Sequence, residues 1–179
     1  LTTDEGIVGY GEAGSAFRER AQAAAIQELK PQVVGQDPFA IRALWTRLYK
    51  SLLDTRGPDS LHVAALGAVE TAMWDIVGKA LGAPIHALLG GKCREAVPVY
   101  LHAQVWGGDR EPGPEVYVEL ARQRVKEGFR AIKFDPFWFT EPCDANIGRG
   151  ERRRVVRIVE AVRRAVGEDV DMGIEFHAK

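Results

Sequence analysis

Cysteine is scarce in this sequence, which contains only Cys93 and Cys143. Two isolated cysteines give no disulfide framework and no cysteine-based metal site. The chain also lacks an uninterrupted run of about 18 apolar residues, the length that a membrane-spanning helix requires. No basic segment followed by an apolar one opens the chain, as it does in a secretory signal. We therefore expect a cytoplasmic protein that has no membrane partner.

The chain also has no large excess of either charge. It contains 24 Lys and Arg residues and 25 Asp and Glu residues, which gives a net charge of −1. This balance provides no general attraction to nucleic acid, and we expect no nucleic-acid partner. The 179 residues are 46% hydrophobic, which suffices for an ordinary globular core. The chain starts at Leu1 without Met, and residues 174–177 lie in the middle of a strand pattern. We therefore expect a fragment of a longer protein.

The longest regular pattern in the sequence lies at residues 65–81. Apolar side chains recur there at i, i+3 and i+4, which is the spacing of one helix face. The residues on this face are Ala65, Ala68, Val69, Ala72, Met73, Ile76, Val77, Ala80 and Leu81. The pattern predicts one long helix with a broad buried side. Gly82 is well placed to end it, and Pro84 follows where a helix cannot continue.

The residues before this helix predict one strand and two further helices. Residues 7–13 form a strand pattern behind an Asp-Glu-Gly turn. Residues 18–34 predict an Ala-rich helix that ends near Pro31. A second helix is expected after Asp37 and Pro38, because a capping residue followed by proline is typical of a helix start. The first half of the chain is therefore predicted to be mainly helical.

From residue 92 onward, predicted strands alternate with predicted helices. The strands are expected at residues 97–103, 131–135 and 170–176, and the helices at residues 114–128 and 152–167. This alternation indicates βαβ units and a parallel sheet, hence an α/β fold class. Long loops follow the first two strands. In parallel α/β folds, ligands bind at this edge, beyond the carboxyl ends of the strands.

Polar and ionisable side chains stand at the ends of all three predicted strands. Residues two apart on a strand share a face, and the resulting pairs are Tyr100 with His102, Lys133 with Asp135, and Glu175 with His177. A buried strand of a parallel sheet is normally almost entirely apolar. The pairs therefore favour an active site at this edge of the sheet. Solvated strand ends are the alternative interpretation.

The long helix and the turn after it also resemble a known signature. The segment contains Ala65-x-Gly67-Ala68-Val69-Glu70-x-Ala72-x-x-Asp75-Ile76-x-Gly78-Lys79 and then Pro84-Ile85-x-x-Leu88-Leu89-Gly90. This order resembles the signature of the mandelate racemase/muconate-lactonizing enzyme family, which belongs to the enolase superfamily. The resemblance implies a helical capping domain at residues 1–91 and the start of a (β/α)8 barrel at residues 92–179, truncated after strand three. It also implies that a loop containing Phe17 reaches over the substrate.

The resemblance implies a chemistry for the strand ends as well. Enolase-superfamily enzymes abstract a proton next to a carboxylate, with Mg²⁺ beside a Lys or His base. Glu175 takes the place of the first carboxylate metal ligand, where most members have Asp. Lys133 is the catalytic cation that contacts the substrate carboxylate, and Asp135 replaces the basic lysine of the racemase branch. His177 resembles the histidine of galactonate and gluconate dehydratases, which donates a proton to the departing hydroxyl.

Lys-x-Asp together with Glu-x-His favours dehydration over racemisation. The implied function is Mg²⁺-dependent dehydration of a sugar acid, a small-molecule carboxylate, by α-proton abstraction and β-elimination through an enolate. The substrate-binding candidates are Asp135, His102, Trp138 and Phe17. A racemase or cycloisomerase with its base elsewhere, or a non-catalytic binding or structural protein, is the alternative. We expect the full-length protein to be a homo-oligomer and the 179-residue chain alone to be inactive.

Three local alternatives stay open. The loop with Phe17 either reaches over the substrate or is a plain surface connection. Trp138 forms either a pocket wall or loop packing, and His102 is either a substrate contact or a strand filler. The basic residues of the last helix are expected on a solvated face, opposite an apolar face. The basic face comprises Arg152, Arg153, Arg154 and Arg157, and the apolar face comprises Val155, Val156, Ile158 and Val159.

Overall fold

The chain divides into two compact units, Leu1–Glu95 and Ala96–Lys179. The structure is a computed structural model that describes residues 1–14, 18–51, 60–105, 112–138 and 147–176. Across these ranges, every helix is too short or too polar to cross a membrane.

The described part of the first unit is built from four helices, the longest of which packs against the others. They are α1 (Glu19–Val33), α2 (Ile41–Ser51), α3 (Ser60–Leu81) and α4 (Ile85–Leu88). The predicted long helix is α3, which packs against both α1 and α2. Its buried stripe meets the apolar faces of its neighbours in one core, formed by Ala25, Leu29, Ile41, Leu44, Leu48, Ala65, Leu66, Val69, Met73 and Val77. Gly82 follows α3 with φ of +62°, the left-handed conformation that ends a helix.

Two helix boundaries differ from the prediction. Helix α1 continues through Pro31 to Val33, because a proline in the last turn removes a single N–H donor and leaves the preceding turns intact. Asp37 does not cap α2. Its Oδ1 accepts a hydrogen bond of 2.9 Å from the Phe39 N–H, and its carbonyl accepts one of 3.1 Å from the Ala40 N–H. This closed turn delays the start of α2 until Ile41.

The strand predicted at residues 7–13 is wrong in length. Leu1 and Gly9 exchange two main-chain hydrogen bonds of 2.9 Å, and a single antiparallel bridge joins Thr2 to Val8. The pairing ends there because the chain leaves the hairpin at Gly9 and crosses α3.

Glycine makes this crossing possible. A Cβ atom on Gly9 would lie 2.2 Å from the carbonyl oxygen of Ala72, and one on Gly11 would lie 1.9 Å from that of Ala68. The two alanines are four positions apart, so they lie on one face of α3. A side chain on either glycine would overlap the helix backbone, so the two main chains meet directly at this point.

Two charged residues of α3 hold the crossing segment by its main chain. The Tyr10 N–H donates to Asp75 Oδ2 at 2.8 Å, and Lys79 Nζ donates to the Val8 carbonyl at 2.7 Å. Lys79 Nζ also pairs with Asp75 Oδ2 at 2.7 Å. The hydrogen bond from Lys79, followed by that from Tyr10, lowers the pKa of Asp75. Asp75 and Lys79 of the α3 pattern therefore bind the main chain of the segment that crosses the helix.

The second unit contains a parallel sheet, as predicted. Its described strands are β1 (Leu101–His102), β2 (Ala131–Phe134) and β3 (Asp171–Ile174), in the order β1-β2-β3. Its helices are α5 (Pro114–Lys126) and α6 (Arg149–Val166). His102 lies opposite Lys133, which in turn lies opposite Gly173.

One face of the sheet packs against the helices. Ile132 and Phe134 of β2 are each 1% exposed. They share a core whose other buried members are Ala103, Tyr117, Ala121, Ile158, Val162 and Val170. Because side chains alternate along a strand, Lys133 lies on the opposite face. This geometry assigns the polar residues of the three strands to the side away from α5 and α6.

Strands β1 and β3 are shorter than predicted. Val97 and Val99 are 69% and 63% exposed, because the ladder between β1 and β2 begins only at Leu101. Residues 97–100 have the composition of a strand, but in the described chain they have no neighbouring strand to pair with. The apolar alternation therefore identified the strand and overestimated its paired length.

The predicted face of the last helix also needs correction. Helix α6 buries Val155, Ile158 and Val162, whereas Val156 is 52% exposed. The side chain of Arg154 is only 14% exposed, so this residue does not belong to a solvated face. Its neighbour in α6, Glu151, pairs with it.

Candidate functional site

The polar face of the sheet centres on Lys133. Strand β2 places its side chain between β1 and β3, with His102 on one side and Gly173 on the other. A Cβ atom on Gly173 would lie 3.3 Å from Lys133 Cγ, closer than ordinary van der Waals contact. The glycine therefore leaves room for the lysine stem to extend over β3.

Lys133 reaches the end of β3 and pairs there with Glu175. Lys133 Nζ lies 2.7 Å from Glu175 Oε2, and the two side chains are 24% and 33% exposed. The Phe176 N–H donates to the other carboxylate oxygen of Glu175 at 3.1 Å. The hydrogen bond with Glu175 raises the pKa of Lys133, so the lysine is held as a cation. The two predicted residues from different strands thus form one charged pair.

Two aromatic rings complete this face, one from His102 of β1 and one from Tyr100, the residue before β1. The rings of Tyr100 and His102 have centroids 6.0 Å apart, and Lys133 Nζ lies 5.6 Å from the centre of the Tyr100 ring. The His102 carbonyl accepts a hydrogen bond of 3.0 Å from Arg124 Nε of α5. The structure therefore brings His102, Lys133 and Glu175 together, with Tyr100 beside them.

Asp135 lies at the same edge but is almost fully buried, with 3% exposure. Its Oδ1 accepts a hydrogen bond of 2.7 Å from the Phe137 N–H, which closes a turn over Pro136. The Phe137 ring then stacks on Phe176 at a centroid distance of 5.1 Å. We call residues 135–137 the β2 corner. The Asp135 carboxylate shapes this turn after β2. A role for Asp135 in substrate binding stays a prediction.

Two residues at this edge, Gln104 and Arg154, were not among the predicted site residues. Gln104 is 7% exposed, and its Oε1 accepts a hydrogen bond of 2.5 Å from the Asp135 N–H. Arg154 donates to the Pro136 carbonyl at 2.7 Å. The period-two pattern of Tyr100 and His102, continued by one step, reaches Gln104, so a sequence signal existed for it. No comparable signal distinguishes Arg154 from the other arginines of α6.

The remaining predicted site residues are placed only in part. Trp138 follows the β2 corner and is half-buried. Phe17 and His177 lie outside the described residues, so their roles stay predictions.

One group at this edge, the Glu175 carboxylate, is a suitable ligand for a hard cation. The carboxylate of Glu175 offers the oxygen ligands that Mg²⁺ prefers, and it is partly exposed. Among the residues that the structure describes, no three His, Cys, Asp or Glu side chains lie close enough to hold a metal ion. Glu175 therefore fits as one member of a ligand set, with Lys133 as its present partner.

Comparison with known proteins extends these observations. Residues 1–90 match the family model described as mandelate racemase/muconate lactonizing enzyme, N-terminal domain. The chain belongs to the mandelate racemase/muconate lactonizing enzyme family. Residues 116–179 match the model described as enolase C-terminal domain-like. The predicted resemblance of the α3 segment to this family is thereby confirmed.

Curated relatives of this family member include two sugar-acid dehydratases. The chain is 38% identical over 180 residues to D-gluconate dehydratase from Thermoproteus tenax, and it covers 35% of that protein. It is 36% identical over 180 residues to D-galactonate dehydratase from Verminephrobacter eiseniae (strain EF01-2), and it covers 44% of that protein. Each alignment includes 100% of the present chain. The chain thus spans less than half the length of these relatives.

Solved structures of the superfamily have the same fold. A member of the enolase superfamily from Salmonella Typhimurium superposes with a TM-score of 0.88 at 32% identity, over 99% of this chain and 49% of that one. A mandelate racemase/muconate lactonizing enzyme-like protein from Rubrobacter xylanophilus DSM 9941 gives a TM-score of 0.85 at 30% identity, over 94% of this chain and 47% of that one. The predicted fold class, a helical region followed by the first parallel strands of the barrel, is confirmed.

Proposed function

We propose that the full-length protein is an enolase-superfamily lyase that dehydrates a sugar acid with Mg²⁺ as its cofactor. The proposal rests on the meeting of Lys133 and Glu175 at the carboxyl ends of neighbouring parallel strands, where Lys133 Nζ lies 2.7 Å from Glu175 Oε2. The curated relatives support the substrate class, because two of them are named D-gluconate dehydratase and D-galactonate dehydratase.

The charges at this edge suit an anionic substrate. Lys133 supplies a cation that is 24% exposed, so a carboxylate in solution can reach it. A partly buried ammonium binds a carboxylate more strongly than one in bulk water, because the local dielectric constant is lower. Glu175 would contribute one ligand to Mg²⁺. When bound, the metal ion would offset the negative charge that develops on the substrate carboxylate as the α-proton leaves.

The proposed reaction transfers the α-proton of the acid to a base contributed by another part of the full-length protein and expels the β-hydroxyl as water. His177 would protonate the departing hydroxyl, since imidazole is an effective proton donor near neutral pH. The resulting enol tautomerises to a 2-oxo acid, so the reaction is balanced without an oxidant or a reductant. His102 and Trp138 would line the substrate site.

Steady-state turnover of D-gluconate and D-galactonate by the full-length protein tests this function. The 2-oxo acid product is measured after derivatisation with semicarbazide, with Mg²⁺ present and after its removal by EDTA. We expect turnover with Mg²⁺ that is lost in EDTA, and a loss of at least about 100-fold in Lys133→Met and Glu175→Gln.

A second ion pair provides matched controls for these variants. Lys92 and Glu95 form a more exposed pair on the first unit, with side chains 49% and 88% exposed. Lys92→Met and Glu95→Gln should leave turnover unchanged. Turnover that is indifferent to EDTA, or equal in the Lys133 and Lys92 variants, would contradict the proposed function.

A further inference from the structure

The two strands β1 and β2 are joined at their ends by a side chain. The Ala103 N–H donates to the Lys133 carbonyl at 2.8 Å in a main-chain bond of the parallel ladder. One residue later, Gln104 continues the pairing with its amide group. Its Oε1 accepts from the Asp135 N–H at 2.5 Å, and its Nε2 donates to the Asp135 carbonyl at 3.4 Å. The side chain thus takes the part of a further main-chain residue of β1.

The Gln104 amide is buried, with the residue 7% exposed. Burying an amide group destabilises the fold unless its hydrogen bonds are made. Methionine has a similar length and would fill the same space without polar atoms. The bonds to Asp135 therefore distinguish glutamine from an apolar residue at this position.

The β2 corner is also held by the two helices and by the end of β3. Tyr117 of α5 donates its hydroxyl to the Asp135 carbonyl at 3.4 Å, and Arg154 of α6 donates to the Pro136 carbonyl at 2.7 Å. The Phe137 ring stacks on Phe176. In the described part of the second unit, α5, α6 and the residues that follow β1 and β3 therefore contact these three residues. Lys133 lies two residues before the corner, so its position depends on how firmly the end of β2 is held.

We propose that Gln104 is a positioning residue, which holds the end of β2 so that the Lys133 ammonium meets the substrate carboxylate. The proposal rests on the proposed function in one respect, the role of Lys133 as the carboxylate-binding cation. Without the amide, the N–H and the carbonyl of Asp135 lose the bonds that tie them to Gln104, and the end of β2 is held less firmly against the chain that follows β1. A displacement of about 1 Å in a catalytic group costs on the order of 100-fold in rate.

Three variants of the full-length protein test this role. Gln104→Met removes the two hydrogen bonds to Asp135, together with the 3.2 Å bond from Gln104 Nε2 to the Val105 carbonyl, and keeps the length of the side chain. Gln104→Glu keeps an oxygen that can accept from the Asp135 N–H but removes the donor. The matched control is Gln123→Met, since Gln123 is a glutamine of α5 whose Nε2 donates to Glu127 Oε1 at the exposed surface.

The measurements are KM and kcat for D-gluconate and D-galactonate, at a temperature at which each variant has wild-type circular dichroism. We expect Gln104→Met to lower kcat/KM on the order of 100-fold, with at least about tenfold of this loss as a rise in KM. Gln104→Glu should raise KM less, and Gln123→Met should change neither constant. A residue that only stabilises the fold would lower apparent kcat in proportion to the unfolded fraction and would leave KM unchanged. That result for Gln104→Met would overturn the proposal.

Two further measurements keep the test decisive. If Gln104→Met does not fold, Gln104→Glu decides, and an unchanged KM in that variant overturns the proposal. If the wild-type protein turns over no sugar acid, the proposed function fails, and nuclear magnetic resonance then tests the positioning alone. Gln104→Met should accelerate amide exchange at Asp135 and shift the side-chain resonances of Lys133, whereas Gln123→Met should do neither. An unshifted Lys133 resonance would overturn the proposal.

Discussion

Replacement of Gly11 by alanine tests how tightly the N-terminal segment packs on α3. The added Cβ would lie 1.9 Å from the Ala68 carbonyl oxygen and 2.9 Å from the Ala72 nitrogen. Both atoms belong to the helix backbone, so no side-chain rotation relieves the overlap. Ordinary contact begins at 3.4 Å, so the segment would have to retreat by 1.5 Å.

The expected cost follows from two contributions. Overpacking a tight contact costs about 1–3 kcal/mol. A retreat of this size also lengthens the hydrogen bond from the Tyr10 N–H to Asp75, now 2.8 Å, and losing such a bond adds about 1 kcal/mol. We therefore expect Gly11→Ala to lower the free energy of unfolding by about 2–4 kcal/mol.

Urea unfolding followed by circular dichroism measures this change, with Gly67→Ala as the control. Gly67 lies inside α3, and a Cβ there would meet no atom within 4 Å. The same substitution should stabilise the protein there by about 0.5–1 kcal/mol, because alanine is the better helix former. The opposite signs separate the contact from a general effect of alanine. An unfolding free energy of Gly11→Ala within about 0.5 kcal/mol of wild type would refute the close crossing.

Three other predictions concern acid stability, self-association and catalysis. The pKa of Asp75 is lowered in the folded chain, so the stability from its bond with Lys79 should be present above about pH 4 and be lost as the pH falls through the lowered pKa. Urea unfolding should therefore show Asp75→Asn to be less stable than wild type at pH 7, with the difference shrinking towards pH 3; a constant difference would contradict this. Val97 and Val99 are 69% and 63% exposed, so the double threonine variant should reduce self-association of the 179-residue chain in sedimentation velocity; equal association of variant and wild type would argue against it. In the full-length enzyme, His177→Asn should abolish dehydration yet retain exchange of the substrate α-proton with deuterium, as measured by nuclear magnetic resonance. Loss of both activities with metal binding intact would make His177 the base.

The family and the order of the elements were accessible from local pattern. Apolar residues at helical spacing, followed by Gly82 and Pro84, predicted α3 because a helix buries one face whatever its partner. Alternation of strands and helices after residue 92 predicted the parallel sheet for a similar reason. The placement of Lys133 and Glu175 at one edge of the sheet was predicted, because parallel strands end at one edge. Their ion pair was not predicted.

The segment that crosses α3 shows what the local sequence pattern could not predict. Residues 7–13 suggested a strand, but the reason for the two glycines in it, Gly9 and Gly11, lies in Ala68 and Ala72, which are distant in sequence. The length of β1 was overestimated in the same way, because strand residues pair only where a neighbour lies in register. Both errors concern contacts between segments that no short window contains.

The sequence by itself therefore determined the family, the succession of helices and strands, and the presence of Lys133 and Glu175 at the carboxyl edge of the sheet. Only the tertiary structure decided which polar groups at this edge are partly exposed and which are buried against the backbone. Gln104 and Arg154 are ordinary polar residues in the sequence, and they become buried partners of the β2 corner only once β1 and α6 pack against β2. The physical reason is that a hydrogen bond acts over about 3 Å. Its partner is therefore set by register and packing, which depend on the whole unit.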